Sequence, residues 1–152
     1  MARVNDARAL VEGRGFGCLS TISVRHPGFP FVSITEYACD ETGQPVFLLS
    51  GLAVHTKNLA ADARASLIVF AQDAEQDVLG SARVTLMGVL RQVEESNDAA
   101  VRARYLDKHP QAAQWVDFGD FAFFRMEVAD IYFVGGFGEM GWVGGADFRT
   151  AG

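Results

Sequence analysis

Only two cysteines occur among the 152 residues, Cys18 and Cys39, and neither stands in a Cys-x-x-Cys pair or at ligand spacing from a histidine. A disulfide framework and a thiolate metal site are thereby excluded as organising devices, and both residues read as buried, reduced thiols inside strands. Positive charge is also scarce. Thirteen Lys and Arg face nineteen Asp and Glu, a formal net charge of −6, which disfavours non-specific attachment to nucleic acid or to an anionic membrane, since that attraction needs a broad positive field. No apolar run approaches 18 residues, so no spanning helix is expected. Met1-Ala2-Arg3-Val4-Asn5-Asp6 carries charge where a signal peptide needs an apolar stretch, and a cytoplasmic protein is the expectation. Any anion this chain holds must be held by a local site.

What is present suits one ordered domain over residues 1–152: 49% apolar and 21% charged residues, without repeats or linkers. Asn5 can cap a short helix over Asp6 to Glu12, with Ala7, Leu10 and Val11 on its inner face and Gly13 as the stop. Phe16 to Val24 and Phe31 to Ala38 read as strands joined at His26-Pro27-Gly28; Val32 and Ile34 alternate with Ser33 and Thr35, as in a half-buried strand. A turn at Asp40-Glu41-Thr42-Gly43 leads to a buried strand, Val46 to Leu49, and these three strands are expected to form an antiparallel meander. A short helix opening near His55-Thr56 and a strand from Ala65 to Phe70 follow. Arg83 to Val93 is a long strand in which Gly88 signals a bulge or a close backbone approach. Ser96 can cap a helix through Lys108, with Val101 and Tyr105 as an i,i+4 pair, and the last strand is Phe121 to Val134. Six or so antiparallel strands with short helices between them predict a mainly β fold, a closed barrel.

The stretch Val46 to Phe70 gathers Ser50, His55, Thr56, Lys57 and Asn58 at a helix start. Hydroxyls, an ammonium and unpaired backbone N–H groups make a seat for an anion such as a phosphate, because the helix dipole and free donors favour negative charge there. The same residues also suit a plain connector helix with Lys57 in water. Gly136-Phe137-Gly138-Glu139-Met140-Gly141 matches G-x-G-x-x-G, but too little chain follows for the helix and parallel strand of a dinucleotide site. His26, His55 and His109 lie in separate segments, so nothing specific points to a metal. No G-x-S-x-G occurs, and no catalytic residue is identified. The aromatics from Trp115 to Phe137 read as core and oligomer interface.

The block SGLAVHTKNLAADARASLIV, the later RVTLMGVL, and DFAFFRMEV leading into VGGFG together resemble the pyridoxamine 5′-phosphate oxidase-like FMN-binding split barrels, nearest to the branch of haem-utilisation proteins. The resemblance spans Asp6 to Val143. It implies a six-stranded antiparallel split barrel, a homodimer, FMN in the cleft between subunits and a small-molecule redox substrate. Ser50, Thr56 and Lys57 match residues lining the flavin phosphate and ribityl end. His55 and Asn58 would support that loop, backbone around Leu48 and Leu49 would face the ring, and Arg83 and Thr85 are further candidates on the outward side of their strand. The stretch Val32 to Tyr37 has no basic residue where pyridoxamine phosphate oxidases carry one, so vitamin B6 oxidation is not expected. A haem-binding or haem-degrading protein is the alternative, and a dimeric module without cofactor is a third.

Overall fold

The computed structural model describes residues Ala2 to Gly152. The elements run α1 (Ala2–Gly13), β1 (Phe16–Ile22), β2 (Pro30–Glu36), β3 (Ala38–Cys39), β4 (Pro45–Ser50), α2 (Val54–Ala61), β5 (Arg64–Phe70), β6 (Arg83–Gln92), α3 (Asp98–Lys108), β7 (Phe121–Gly136), β8 (Glu139–Gly144) and α4 (Gly145–Thr150). All strand pairs are antiparallel, in the order β2-β1-β5-β6-β7-β4-β3, with β8 on β7. The long strand β7 sets the architecture. One of its edges pairs with β6, while the other is divided, Phe121 to Arg125 against β4 and Asp130 to Gly136 against β8. That division opens the sheet into a curled half-barrel with short helices at its flanks.

Alternation along the strands builds the interior. Leu19, Leu67, Val69, Val84, Leu86 and Ile131 are wholly buried inside the curl, where α1 adds Ala7 and Val11 and α4 adds Phe148. Each such side chain contributes roughly 1.5–3 kcal/mol by leaving water. A second core lies under α3, where Val101 and Tyr105 meet Val46, Leu48 and Phe123. Strand β4 separates the two cores and is therefore apolar at every position from Val46 to Leu49.

The mainly β split barrel is as expected, with differences in detail. Among the described residues there are eight strands rather than six, because the glycine-rich tail is a hairpin into β8 and Ala38–Cys39 forms a short strand of its own. The expected meander stops at β2: β1 and β2 form a hairpin, but β4 pairs with β3 and β7, since its double-sided apolarity places it between the cores and not at a half-exposed edge. Helix α1 starts at Ala2, so Asn5 lies inside it, and α3 starts at Asp98 after a 3-10 turn, with no side chain capping it at Asn97. Gly88 meets both of its expected roles. The β6–β7 register shifts between Met87 and Gly88, and a Cβ at Gly88 would lie 2.1 Å from the Glu127 carbonyl oxygen.

Candidate functional site

Strand β4 ends at Ser50, whose hydroxyl donates to the Asp120 carboxylate at 2.7 Å and accepts from the Leu52 N–H at 3.1 Å. The Gly51 N–H donates to the Asp120 carbonyl at 2.6 Å, so the β4 exit is stapled to the loop before β7. Helix α2 then begins at Val54 behind Ala53, and no side chain caps its first turn. The unpaired N–H groups of that turn, together with the dipole, favour an acceptor or an anion. Lys57 is exposed, while the Thr56 hydroxyl is buried and has no partner among the described residues. Asn58 ties α2 to the end of β1, because its amide donates to the Thr21 hydroxyl at 3.0 Å and accepts from the Val24 N–H at 3.0 Å.

His55 reaches across to β2, where its Nδ1 lies 3.2 Å from the Ser33 hydroxyl. Burial depresses the imidazole pKa below its usual 6.5. The unfolded chain therefore takes up this proton first, and the neutral ring's stabilisation is fully present above pH 6.5 and lost as pH falls through 6.5 towards the folded value. Urea midpoints measured from pH 7.5 to 5 should drop, and His55→Asn should flatten that slope; an unchanged slope in the variant would assign the acid sensitivity to other groups.

The other expected site residues lie elsewhere. Leu48 and Leu49 are buried, on opposite faces of β4, in the α3 core and the barrel core respectively, so only backbone on the β4 edge that lacks a strand partner beyond Val46 could meet a ligand. Arg83 is engaged: its guanidinium donates to the carbonyls of Val78 and Leu79 at 3.3 and 3.2 Å, holding the loop before β6. Thr85 sits on the outward face of the sheet, two strands beyond β1, against which α2 packs. The structure thus gathers Ser50, His55, Thr56, Lys57 and Asn58 at one place and sets Arg83 and Thr85 roughly 10 Å away.

That outward face is the feature sequence reasoning missed. Val32 and Ile34, the apolar half of the β2 alternation, are 61% and 70% exposed, while Ser33 and Thr35 turn in. In register, Ile34, Cys18, Ile68, Thr85, Tyr132 and Trp142 form one row across six strands, spanning roughly 24 Å at the usual interstrand spacing. Trp142, 58% exposed, meets Tyr132 edge-on at 4.9 Å between ring centroids. In the parallel row Val32, Ser20, Ser66, Met87 and Asp130, the last four floor a mainly apolar groove of about 390 Å³.

A curled antiparallel sheet divided along its longest strand is a split barrel, the fold of the pyridoxamine 5′-phosphate oxidase-like proteins. More particularly, the chain matches the family described as CREG, beta-barrel, over residues 1–150, and it belongs to that family. It is 43% identical over 136 residues to the non-canonical heme oxygenase HOZ, chloroplastic, of Arabidopsis thaliana, a match covering 90% of this chain and 41% of that protein. A solved heme binding protein from Mycobacterium smegmatis superposes with a TM-score of 0.92 at 36% identity, covering 98% of this chain and 60% of that one. This chain therefore spans about two fifths of the first and three fifths of the second. The heme storage protein HutZ of Vibrio cholerae, at 20% identity and a TM-score of 0.69 over 91% of this chain and 92% of its own, shares the fold. Among the described residues no helix is long and apolar enough to cross a membrane.

Proposed function

We propose that the protein is a haem-binding module that works as a homodimer, with the outward sheet face packed against its twin and the porphyrin held at their junction. The exposed apolar side chains Val32, Ile34, Met87 and Trp142 on the outward face of the sheet carry this reading, because a cluster of exposed apolar groups of this extent marks an interaction surface. The names of the relatives at 43% and 36% identity support it. The chemistry of the face fits the group: Val32, Ile34, Met87 and Trp142 offer apolar contact, and the Ser20 and Ser66 hydroxyls offer polar contact at the groove. Bound haem would supply redox chemistry at its iron. Of the side chains able to ligate it, Cys18, Met87 and Tyr132 stand on the outward face, whereas the His55 and His109 rings are engaged with Ser33, Tyr37 and Glu36 and His26 lies exposed in the loop between β1 and β2.

Hemin titration, read at the Soret band together with light scattering, tests this. Wild-type protein should be dimeric and take up hemin saturably. Ile34→Glu, at a position already exposed and so harmless to folding, should yield monomers with at least tenfold weaker uptake, since a charge buried in an interface without a partner costs several kcal/mol. A monomeric wild-type protein, or Ile34→Glu with unchanged uptake, refutes the shared face.

FMN is the second reading, with an oxidoreductase role for the flavin, and a specific observation favours it: the uncapped start of α2, the partnerless Thr56 hydroxyl and the exposed Lys57 together want an acceptor. The Asp120 carboxylate at Ser50 weighs against it, since it would repel a phosphate. Charge-assisted hydrogen bonds contribute about 1.5–3 kcal/mol. On this reading Lys57→Ala lowers FMN affinity by about one to two powers of ten, riboflavin binds more weakly than FMN, and hemin uptake is unchanged. Equal affinity for the two flavins in a fluorescence titration removes the reading.

A further inference from the structure

Away from the outward face, a cleft of about 540 Å³ opens where the end of α1, the short strand β3 and one side of α3 meet. Its lining includes Glu12, Arg14, Cys39, Arg104, Asp107 and Lys108, none of which lines the groove on the outward face. Three of the thirteen basic residues of an acidic chain thus converge on one concavity of ligand size. Of the two lining carboxylates, Glu12 is taken up by an ion pair with Arg8, which leaves Asp107 as the opposing charge. Burial, with Glu12 and Asp40 adding to it, pushes the Cys39 thiol up to about 12, so this side chain stays neutral and adds no negative charge.

Two of the cations are held with donors to spare. The Arg104 Nε donates to the Cys39 carbonyl at 2.8 Å, which fixes the stem and leaves the terminal nitrogens of its fork with no acceptor among the described residues. The Arg14 guanidinium lies over the Phe16 ring, 5.6 Å from its centroid, and its Nε is buried without a partner among the described residues. A buried guanidinium nitrogen without an acceptor is costly, and an anion entering the cleft would lower that cost. Lys108 bridges weakly to the Glu12 carbonyl at 3.4 Å and caps the negative end of α1, where Tyr37 already donates to the Val11 carbonyl at 2.6 Å. The helix end therefore does not oppose an anion as strongly as its dipole alone would.

We propose that the cleft between α1, β3 and α3 binds a small phosphorylated molecule, its phosphoryl group clamped by the guanidinium forks of Arg14 and Arg104, with Lys108 as a third charge. Two planar forks and an ammonium match a tetrahedral dianion with several acceptor oxygens. The site does not depend on haem or FMN.

Inorganic pyrophosphate serves as the probe, titrated by calorimetry and by 31P line broadening, with sodium chloride at matched ionic strength as the control. Saturable binding to the wild-type chain is expected, weakened at least tenfold in Arg14→Gln and in Arg104→Gln and unchanged in Arg25→Gln, an exposed basic residue between β1 and β2. Arg104→Lys should fall between, since it keeps the charge but loses the fork. No saturable signal beyond the chloride control overturns the proposal, as does undiminished affinity in the Arg14→Gln/Arg104→Gln double variant. Loss of binding in Lys57→Ala alone would place the anion at α2 instead and equally refute it.

Discussion

Arg8→Met should lower the melting temperature by on the order of 10 °C, although it replaces a charged residue of a helix with an apolar one of similar length. Arg8 is 7% exposed, and its guanidinium donates to the carbonyls of Phe148 at 2.9 Å, Glu41 at 3.2 Å and Arg149 at 3.3 Å, and also to Ala151. It pairs with Glu12 and lies over the Phe148 ring. One side chain thus joins the first helix, the β3–β4 turn and the end of the described chain. Hydrogen bonds to a charged group contribute roughly 1.5–3 kcal/mol each, so losing the best two of these costs about 3–6 kcal/mol. For a domain of this size each kcal/mol moves the melting point by roughly 2–4 °C. Calorimetry of Arg8→Met and Arg8→Lys decides the matter: the lysine keeps the charge but not the fork and should recover only part of the loss. A shift under 2 °C in Arg8→Met would show that water replaces the arginine at these carbonyls.

Nothing in the sequence marks Arg8. It is visible only as a charged position next to Ala7 on a short amphipathic helix, and its carbonyl acceptors lie 33 to 143 positions away. Local pattern reveals local consequences, and the elements found correctly are those whose cause is local. Val101 and Tyr105 are an i,i+4 pair and pack together under α3; Gly88 interrupts an apolar row and marks the bulge; the continuous apolar run at β4 reports burial on both faces.

Where a pattern had two solutions, the sequence could not choose between them. The alternation of Val32 and Ile34 with Ser33 and Thr35 establishes a strand and its two faces, but a period of two does not say which face meets the core. The assumption that apolar means inward fails here because β2 is an edge strand whose inner side faces α2, where Ser33 meets His55. Its outer side extends a surface built by five other strands, and that surface exists only once strands distant in sequence are set side by side. At α2 the donors were legible as a set, since Ser50, Thr56 and Lys57 lie within one turn and its approach. The Asp120 carboxylate that occupies the Ser50 hydroxyl comes from 70 positions away and was not.

Gly88→Ala is expected to destabilise the protein by about 3 kcal/mol, more than most substitutions that add a single methyl group. The added Cβ would stand 2.1 Å from the Glu127 carbonyl oxygen and 2.9 Å from its carbon, and both are backbone atoms of the central strand β7, with no flexible side chain to move aside. Relief requires the bulge between Met87 and Gly88 to open, which unpairs part of the ladder between β6 and β7 and displaces Met87 from the groove it floors. Gly119→Ala supplies the comparison, because a Cβ there meets nothing within 4 Å. By restricting the unfolded chain it should be neutral or slightly stabilising, by up to roughly 1 kcal/mol. Urea unfolding of both variants at equal protein concentration separates the two effects, and hemin titration of Gly88→Ala reports on the groove. If Gly88→Ala unfolds within about 0.5 kcal/mol of the wild-type protein, β7 yields at this point and the bulge is not held by the steric contact described.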